Sequence, residues 1–287
     1  DFPLCQHGWV EIDDPDGPEG TVKRIRIRRV HLEEETAKSI HAGDHSLVDF
    51  NRAGLPLIEI VTEPDIRTPE EARQLLIKLR AILRYMDVST ADMEKGAMRC
   101  EPNVSVRLGG TSEFGTKVEV KNLNSFRSVK LALDYEIARQ AQVLDSGDLV
   151  RQVTMGWDER RGRTVEQRAK ETSEDYRYFP EPDLPPLRIS AEWVGEIRGT
   201  LPELPDAVRE RFVADYGLSR REAGTLTYDR EVAGYFEEVV AAGRAMDLAP
   251  KTVSNWVTGE LFRLLRAEGD EIDGGRVTPQ ALAELIA

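Results

Sequence analysis

The chain has 287 residues, of which 40% are hydrophobic, and its formal net charge is −13. This length allows one large or two ordinary domains with apolar cores, so a disordered chain is excluded. The acidic balance argues against a protein that coats nucleic acid non-specifically, because such binding needs Lys and Arg to neutralise phosphates, but it leaves a specific RNA partner open.

The sequence gives no sign of export or membrane insertion. No apolar run reaches the roughly 20 residues of a membrane-spanning helix, and the first residues lack the basic start and apolar core of a signal peptide. Cys5 and Cys100 lie far apart and form neither a disulfide framework nor a CxxC metal motif. We predict a cytoplasmic protein without a membrane partner, with Cys100 an inert packing thiol.

The first regular pattern is a basic strand that ends in carboxylates. Isoleucines alternate with arginines in residues 23–29, which predicts a strand with one basic face; a solvated edge strand is the alternative. Alternation then places Glu33 beside His31 on one face and Glu34 on the other. The end of this strand is therefore either a solvated loop start or part of a Mg²⁺ site, since Mg²⁺ takes oxygen ligands and keeps waters.

A second candidate metal ligand lies in the most strand-like run of the chain, residues 55–62. Glu59 interrupts its Leu, Ile and Val residues, and burying an unpaired carboxylate costs several kcal/mol, so Glu59 is either exposed or partnered. A helix follows, in which Thr68 is the predicted cap, Pro69 takes the first helical position and Glu71 completes a capping box.

Residues 94–129 read as two strands, a turn and a helix start. Alternation in residues 99–107 and 116–123 puts Val104, Val106, Val118 and Val120 on one side and a row of polar side chains on the other. The polar side chains are Arg99, Glu101, Asn103, Ser105, Arg107, Lys117, Glu119 and Lys121. A solvated outer sheet face is the alternative reading of such a row.

The second of these strands leads directly into an amphipathic helix. Lys121 and Asn122 end the strand, and Asn124 and Ser125 precede the helix, with Ser125 as its predicted cap. Amide side chains and backbone N–H groups therefore collect at a helix N-terminus, where phosphate is favoured. This stretch is a candidate phosphate-binding site.

The remainder of the chain divides at about residue 189. Residues 150–157 predict another strand, and Arg160, Arg161 and Arg163 are typical of a solvated loop. The proline-rich residues 176–187 are either a linker or a strap over a site. Helix signals then follow one another, with Gly and Pro between them, and predict an all-helical domain. The predicted helices are residues 190–198, 205–216, 219–226, 229–242, 250–265 and 278–286.

Several long phrases resemble one known family. HLEEETAK, LVDFNRAGLPLIEIVTEPD, MRCEPNVSVR, EFGTKVEVKNLNSFRSV and DYRYFPEPDLPPL are similar to the B subunit of aspartyl/glutamyl-tRNA amidotransferases, and the similarity spans essentially the whole chain. That family ordinarily begins with a segment carrying a Glu-x-His metal element, often followed by zinc-binding cysteine pairs, and ends in a tail domain that touches tRNA. The resemblance thus implies a middle portion with an incomplete metal site.

The resemblance implies an α+β fold: a glutamine-synthetase-like cradle of antiparallel sheet and helices over residues 1–188, followed by a helical domain over residues 189–287. It also implies that ATP phosphorylates the side-chain carboxylate of Glu-tRNA(Gln) or Asp-tRNA(Asn). Ammonia from a separate amidase, the A subunit, would displace the phosphate, and a small C subunit would bridge the two. A non-catalytic tRNA-binding or assembly scaffold and a stand-alone ligase using free ammonia are the alternatives.

The resemblance assigns roles to the candidate residues, with ATP and Mg²⁺ as cofactors. Glu33 or Glu34, together with Glu59, would bind Mg²⁺. Arg99, Glu101 and Lys121 would be catalytic. The residues expected to contact ATP and the acyl phosphate are Asn103, Ser105, Arg107, Lys117, Glu119, Asn122, Asn124 and Ser125.

Overall fold

The computed structural model describes residues 3–18, 20–169, 185–270, 272 and 276–287. The chain forms two compact units, each described here by itself. The first contains Asp1–Leu75, Glu101–Leu123 and Arg127–Pro186, and the second contains Leu76–Cys100, Asn124–Phe126 and Leu187–Ala287. Among the described residues, no helix is both long and apolar enough to cross a membrane.

The N-terminal part of the first unit is a small antiparallel sheet with an added hairpin. The strands are β1 Cys5–Asp13, β2 Val22–Glu34, β3 Lys38–Ala42, β4 His45–Asp49 and β5 Pro56–Thr62. The sheet has the order β1-β2-β5, while β3 and β4 pair with each other and with no other described strand. Sequence patterning misses this hairpin because the side chains of β3 and β4 are mostly exposed on both faces.

The basic strand β2 is the central strand of its sheet, so the edge-strand alternative is wrong. Its apolar face is buried, with Ile25 at 0% and Ile27 at 6% exposure. On the opposite face, each arginine meets a carboxylate. The pairs are Arg24 with Glu11 at 3.0 Å, Arg26 with Asp65 at 2.6 Å and Arg28 with Glu63 at 2.9 Å.

A second sheet contains the strands predicted to carry the site. These are β6 Asn103–Val104, β7 Val118–Lys121, β8 Val153–Asp158 and β9 Arg163–Ala169, in that order. Strands β7 and β8 are parallel, whereas the other described strand pairs are antiparallel. A helix between β7 and β8 provides the crossover that a parallel pair requires. The predicted combination of antiparallel sheet and helices is thus confirmed in outline, with one parallel pair that the prediction did not include.

Two long helices accompany the sheets. Helix α1 spans Pro69–Tyr85, and Thr68 caps it as predicted, since the Glu71 N–H donates to Thr68 Oγ1 at 3.2 Å. Helix α2 spans Phe126–Asp145 and forms the crossover from β7 to β8. It buries Val129, Ala132 and Leu133.

The second unit contains the predicted run of helices, and five of the six are confirmed within one or two residues. The fifth is interrupted and ends at Glu268, three residues beyond the predicted end. The helices are α3 Ala191–Thr200, α4 Pro205–Tyr216, α5 Arg220–Leu226, α6 Arg230–Gly243, α7 Pro250–Trp256, α8 Phe262–Glu268 and α9 Pro279–Ile286. A π-helical turn, Val257–Leu261, joins α7 to α8. Phe212 and Phe236 lie at the centre of the core, with ring centroids 5.1 Å apart. Of the proline-rich residues 176–187, all but the last three lie outside the described residues.

Candidate active site

Strand β7 has a polar face because its alternate residues belong to the core. Val118 and Val120 are fully buried, and Val118 packs against Val153 and Met155. Since successive side chains of a strand point to opposite faces, Glu119 and Lys121 lie on the other side of the sheet. The predicted alternation is therefore confirmed over β7.

The polar face gathers a compact set of side chains around Lys121. Its Nζ lies 3.1 Å from Glu101 Oε2 and 3.9 Å from Glu119 Oε1. Thr154 Oγ1 donates to Glu119 Oε2 at 3.1 Å. Asn103 lies directly across from Glu119 in the β6–β7 register. We call these five residues the polar cluster.

The polar cluster places one cation between two carboxylates. Lys121 and Glu101 keep 36% and 46% of their side-chain surface exposed, whereas Glu119 keeps 14%. The less exposed carboxylate, Glu119, is thus fixed by Thr154 and the lysine, while the lysine and the outer carboxylate, Glu101, remain accessible. Such an arrangement can hold an anionic group against Lys121 and accept a proton at Glu101.

The first predicted strand is much shorter than expected. The regular pairing with β7 covers Asn103 and Val104. The Pro102 carbonyl still accepts from the Val120 N–H at 2.9 Å, but Pro102 has no N–H to donate, and residues 105–107 are outside the described strand. Arg107 Nη1 donates to the Ser112 carbonyl at 2.6 Å, and its guanidinium lies 5.0 Å from the centre of the Phe114 ring. Arg107 therefore contacts its own loop.

The two remaining residues predicted on these strands lie just outside them, Ser105 after β6 and Lys117 before β7. Ser105 is half-buried, and Lys117 is exposed with no ion pair to another described residue. Their contacts with phosphate stay predictions.

The turn after β7 has an unusual backbone and borders a groove. Asn122 adopts a left-handed conformation with φ of 62°, and the following Leu123 is buried. Asn122 also lines an open groove of about 430 Å³. Trp157, Arg160, Arg161 and Gln167 also line this groove.

Three predicted site residues belong to the second compact unit. Arg99 and Asn124 are exposed, and Ser125 is half-buried immediately before the first residue of α2, Phe126. Their assignment to the site continues to rest on the sequence.

The predicted magnesium ligands divide between the two faces of the first sheet. In the register of β2 with β5, Glu59 lies across from His31, and Glu33 lies two residues further along β2. Glu33 and Glu59 therefore share a face, whereas Glu34, across from Pro56, lies on the opposite one. Among the described residues, no group of three or more His, Cys, Asp or Glu side chains is arranged to hold a metal ion.

Two of these carboxylates still suit Mg²⁺. This ion is commonly bound by one or two carboxylates together with waters and substrate phosphates. Glu33 is exposed and Glu59 keeps 42% of its side-chain surface exposed, so both carboxylates are accessible from solvent. Glu59 meanwhile accepts a hydrogen bond from Arg29 Nη2 at 3.1 Å. The residues present thus fit a two-carboxylate site formed by Glu33 and Glu59, without Glu34.

Two residues near the polar cluster and the magnesium candidates, Thr154 and Glu35, were not predicted from the sequence. Thr154 is a polar residue inside the apolar run of β8, which is the same signal that drew attention to Glu59. Glu35, the first residue after β2, is the only buried one of the three successive carboxylates Glu33 to Glu35, with main-chain hydrogen bonds to Leu55 at 2.8 Å and Gly54 at 2.9 Å. Its place in the sequence gave no indication that it, rather than Glu33 or Glu34, turns inward.

Comparison with known proteins identifies the relationship of this chain. Residues 1–195 match the family model described as GatB/GatE catalytic domain, and residues 234–287 match the one described as GatB domain. The polar cluster, the groove and both magnesium candidates lie within the first match.

Curated relatives are similar over nearly the whole chain. The B subunit of the aspartyl/glutamyl-tRNA(Asn/Gln) amidotransferase of Roseiflexus sp. (strain RS-1) is 57% identical over 94% of this chain and 55% of its own length. The proteins of the same name from Roseiflexus castenholzii and Caldanaerobacter subterraneus are 54% and 52% identical over 99% and 100% of this chain. The chain spans 59% of the length of each of these two relatives.

Proposed function

The chain belongs to the GatB/GatE catalytic-domain family, and we propose that it carries the ATP-dependent step of a tRNA-dependent amidotransferase. The substrates would be Glu-tRNA(Gln), Asp-tRNA(Asn) or both, in keeping with the names of the relatives. The product would be the corresponding amide on the same tRNA. This reaction is that of a carbon–nitrogen ligase.

The observation that carries the proposal is the position of Lys121 between Glu101 and Glu119 on the face of β7. Phosphoryl transfer from ATP to a carboxylate brings two anionic groups together, so it depends on cations held in fixed positions. Lys121 supplies such a cation, and Thr154 and Glu119 hold its inner side. Lys117, immediately before β7, adds a second exposed positive charge next to this strand.

The chemistry has two steps. A side-chain carboxylate oxygen of the aminoacyl group attacks the γ-phosphorus of ATP, which releases ADP and leaves an acyl phosphate. Ammonia then attacks the acyl carbon, inorganic phosphate leaves, and one proton of the entering nitrogen is lost. We assign stabilisation of the phosphoryl oxygens to Lys121 and acceptance of that proton to Glu101, the more exposed of its two partners.

Magnesium would be held on the first sheet by Glu33 and Glu59, where it would neutralise phosphate charge when bound. Asn122 would donate from its side-chain amide to a phosphate at the turn after β7, whereas the phosphate contacts predicted for Asn124 and Ser125 rest on the sequence alone. We further propose that the sheets and α2 belong to a glutamine-synthetase-like cradle. The mixed α/β architecture supports this finer assignment.

The ammonia would come from a partner amidase, the A subunit, with a small C subunit in the same assembly. Neither cysteine of this chain is placed as a glutaminase nucleophile, since Cys5 is exposed on β1 and Cys100 lies outside the polar cluster. A heterotrimer acting in the cytoplasm, where charged tRNA is used, follows from this scheme. No observation favours the non-catalytic scaffold.

The decisive experiment uses the full-length protein with its partner subunits. Conversion of Glu-tRNA(Gln) to Gln-tRNA(Gln) is followed with ATP, Mg²⁺ and an ammonium salt. We expect Glu119→Gln and Lys121→Met to reduce the rate by about a hundredfold or more, as for removal of a preorganised charged group. Glu113→Gln, in the exposed loop before β7, is the matched control and should retain the wild-type rate.

Other outcomes would separate the alternatives. If the wild-type complex bound neither ATP nor Mg²⁺ in calorimetric titration, the ligase function would be rejected in favour of the non-catalytic scaffold. Amidation of free glutamate without tRNA would instead support a stand-alone ligase. Normal rates in correctly folded Glu119→Gln and Lys121→Met variants would remove the polar cluster from the active site.

A further inference from the structure

The hairpin that joins β8 to β9 ends in a group of arginines that the proposed chemistry does not use. We call Arg160, Arg161 and Arg163, with the intervening Gly162, the arginine tip. Asp158 Oδ1 accepts hydrogen bonds from the main-chain N–H groups of Arg160 and Arg161, both at 3.1 Å, and Gly162 has a φ of 58°. These features fix the backbone of the tip, so its side chains leave from defined positions.

The arginine tip carries positive charge that its described neighbours leave largely unneutralised. Glu159, just before the tip, accepts instead from two neutral donors, Ser128 Oγ at 2.8 Å and Trp157 Nε1 at 2.6 Å. Arg160 and Arg163 are exposed and have no ion pair with any other described residue. Arg161 has only a 3.5 Å contact with Asp158 and is 63% exposed.

The arginines of the tip differ from those of the first sheet in their ion pairing. Each of the three exposed arginines on β2 meets a carboxylate at 3.0 Å or less, in a chain whose net charge is −13. Closely spaced guanidinium groups that lack a close carboxylate among the described residues suit phosphate, whose oxygens they bind in pairs. The arginine tip therefore has the charge and exposure that suit an anion, at the surface of an acidic protein.

The position of the tip indicates which anion it meets. Arg160 and Arg161 line the groove that Asn122 also lines, and Asn122 follows Lys121 of the polar cluster directly. A chain of phosphates held at the tip would thus pass beside the residues that act on its end. We infer that the arginine tip binds phosphates of the tRNA acceptor strand and guides the aminoacylated 3′ end along this groove. This inference rests on the proposed function.

The test uses the full-length protein with its partner subunits and the double variant Arg160→Ala/Arg163→Ala. The KM for mischarged tRNA should rise about tenfold, with kcat and the KM for ATP within about twofold of wild type. Each lost phosphate contact should also flatten the plot of log affinity against log salt by about 1. Arg160→Lys/Arg163→Lys should restore most of the salt dependence.

Arg151→Ala is the matched control, because Arg151 is 71% exposed and pairs with Glu166 away from the tip. Unchanged tRNA affinity in the double variant, a rise in the KM for ATP instead, or an equal effect of Arg151→Ala would each overturn the inference. Filter binding of uncharged tRNA gives an independent measurement of the tRNA affinity. If the wild-type complex shows no amidation activity, but the double variant binds tRNA more weakly than wild type, the proposed function is wrong and the RNA contact is supported.

Discussion

The side-chain amide of Gln140 donates a hydrogen bond to the main-chain carbonyl oxygen of Val104 at 3.2 Å. The same Nε2 also lies 3.0 Å from the carboxylate of Glu136, which is fully buried and accepts from Thr164 Oγ1 at 2.9 Å. Helix α2 is thereby joined to both edge strands of the second sheet, β6 and β9. Strand β6 has only two residues, so this link helps to hold Asn103 opposite Glu119.

Replacing Gln140 with leucine should therefore affect both stability and activity. The Val104 carbonyl and the buried Glu136 carboxylate each lose a donor, which costs about 1 to 3 kcal/mol. We expect a lower unfolding midpoint in urea and, at temperatures where the protein stays folded, a reduced kcat. Gln142→Leu makes the same change on an exposed position of α2 and should alter neither quantity. Unaltered kcat in folded Gln140→Leu would mean that β6 needs no such support.

Thr154→Val isolates the contribution of one hydroxyl to the polar cluster. Valine has nearly the shape of threonine, but Glu119 Oε2 loses the donor that now lies at 3.1 Å. A charge-assisted hydrogen bond is worth about 1.5 to 3 kcal/mol, so kcat/KM for amidation should fall by about tenfold to a hundredfold if Glu119 must be fixed.

The control for this experiment is Thr116→Val, which removes an exposed hydroxyl just before β7. It should leave kcat/KM unchanged. Equal losses from both substitutions, or no loss from Thr154→Val, would show that the orientation of Glu119 does not depend on this hydrogen bond.

The ion pair between Arg26 and Asp65 predicts a pH-dependent stability. Hydrogen bonds from Arg26 lower the pKa of Asp65 to about 2, whereas an unfolded aspartate titrates near pH 3.9. The folded chain binds the proton less readily, so the pair stabilises it above about pH 4, and this contribution is lost as the pH falls towards 2. Asp65→Asn should lower Tm at pH 7, and its difference from wild type should shrink between about pH 4 and pH 2.

Asp215→Asn provides the comparison for this pH series. Asp215 is exposed on α4 and has no ion pair to another described residue. Its Tm should follow that of wild type at every pH. A difference between wild type and Asp65→Asn that stayed constant from pH 7 to pH 2 would contradict the role of the charge.

Local signals in the sequence predicted most elements, and non-local contacts account for the errors. The helices of the second unit were predicted from local signals with Gly and Pro between them. The structure shows that Ser219, Asp229 and Thr278 cap three of these helices and that Pro205 and Pro250 open two others, so each signal lies within one turn of its helix. The face of β7 followed from strand alternation. Both kinds of signal need only neighbouring residues.

The site was less predictable because it depends on which strands lie side by side. Thr154 meets Glu119 through the parallel β7–β8 pairing, and no local pattern specifies that register. Likewise, Glu33 and Glu59 share a face only because β2 pairs with β5 as it does. Arg107 was placed in the site by alternation, which does not continue where the chain turns away after Val104.

Asn122 allows the backbone and the side chain of one position to be tested separately. Its φ of 62° lies in the left-handed region, which glycine and asparagine adopt easily and which costs other residues about 1 to 2 kcal/mol. Asn122→Gly should keep Tm close to wild type while removing the amide proposed to contact phosphate, so the KM for ATP should rise about tenfold. Asn122→Val should lower Tm as well, because a β-branched residue strains this turn.

The control is Gly110→Asn, at another left-handed position in the exposed loop before β7, which should leave both Tm and the KM for ATP unchanged. Wild-type kinetics in Asn122→Gly would limit the role of Asn122 to the shape of the turn.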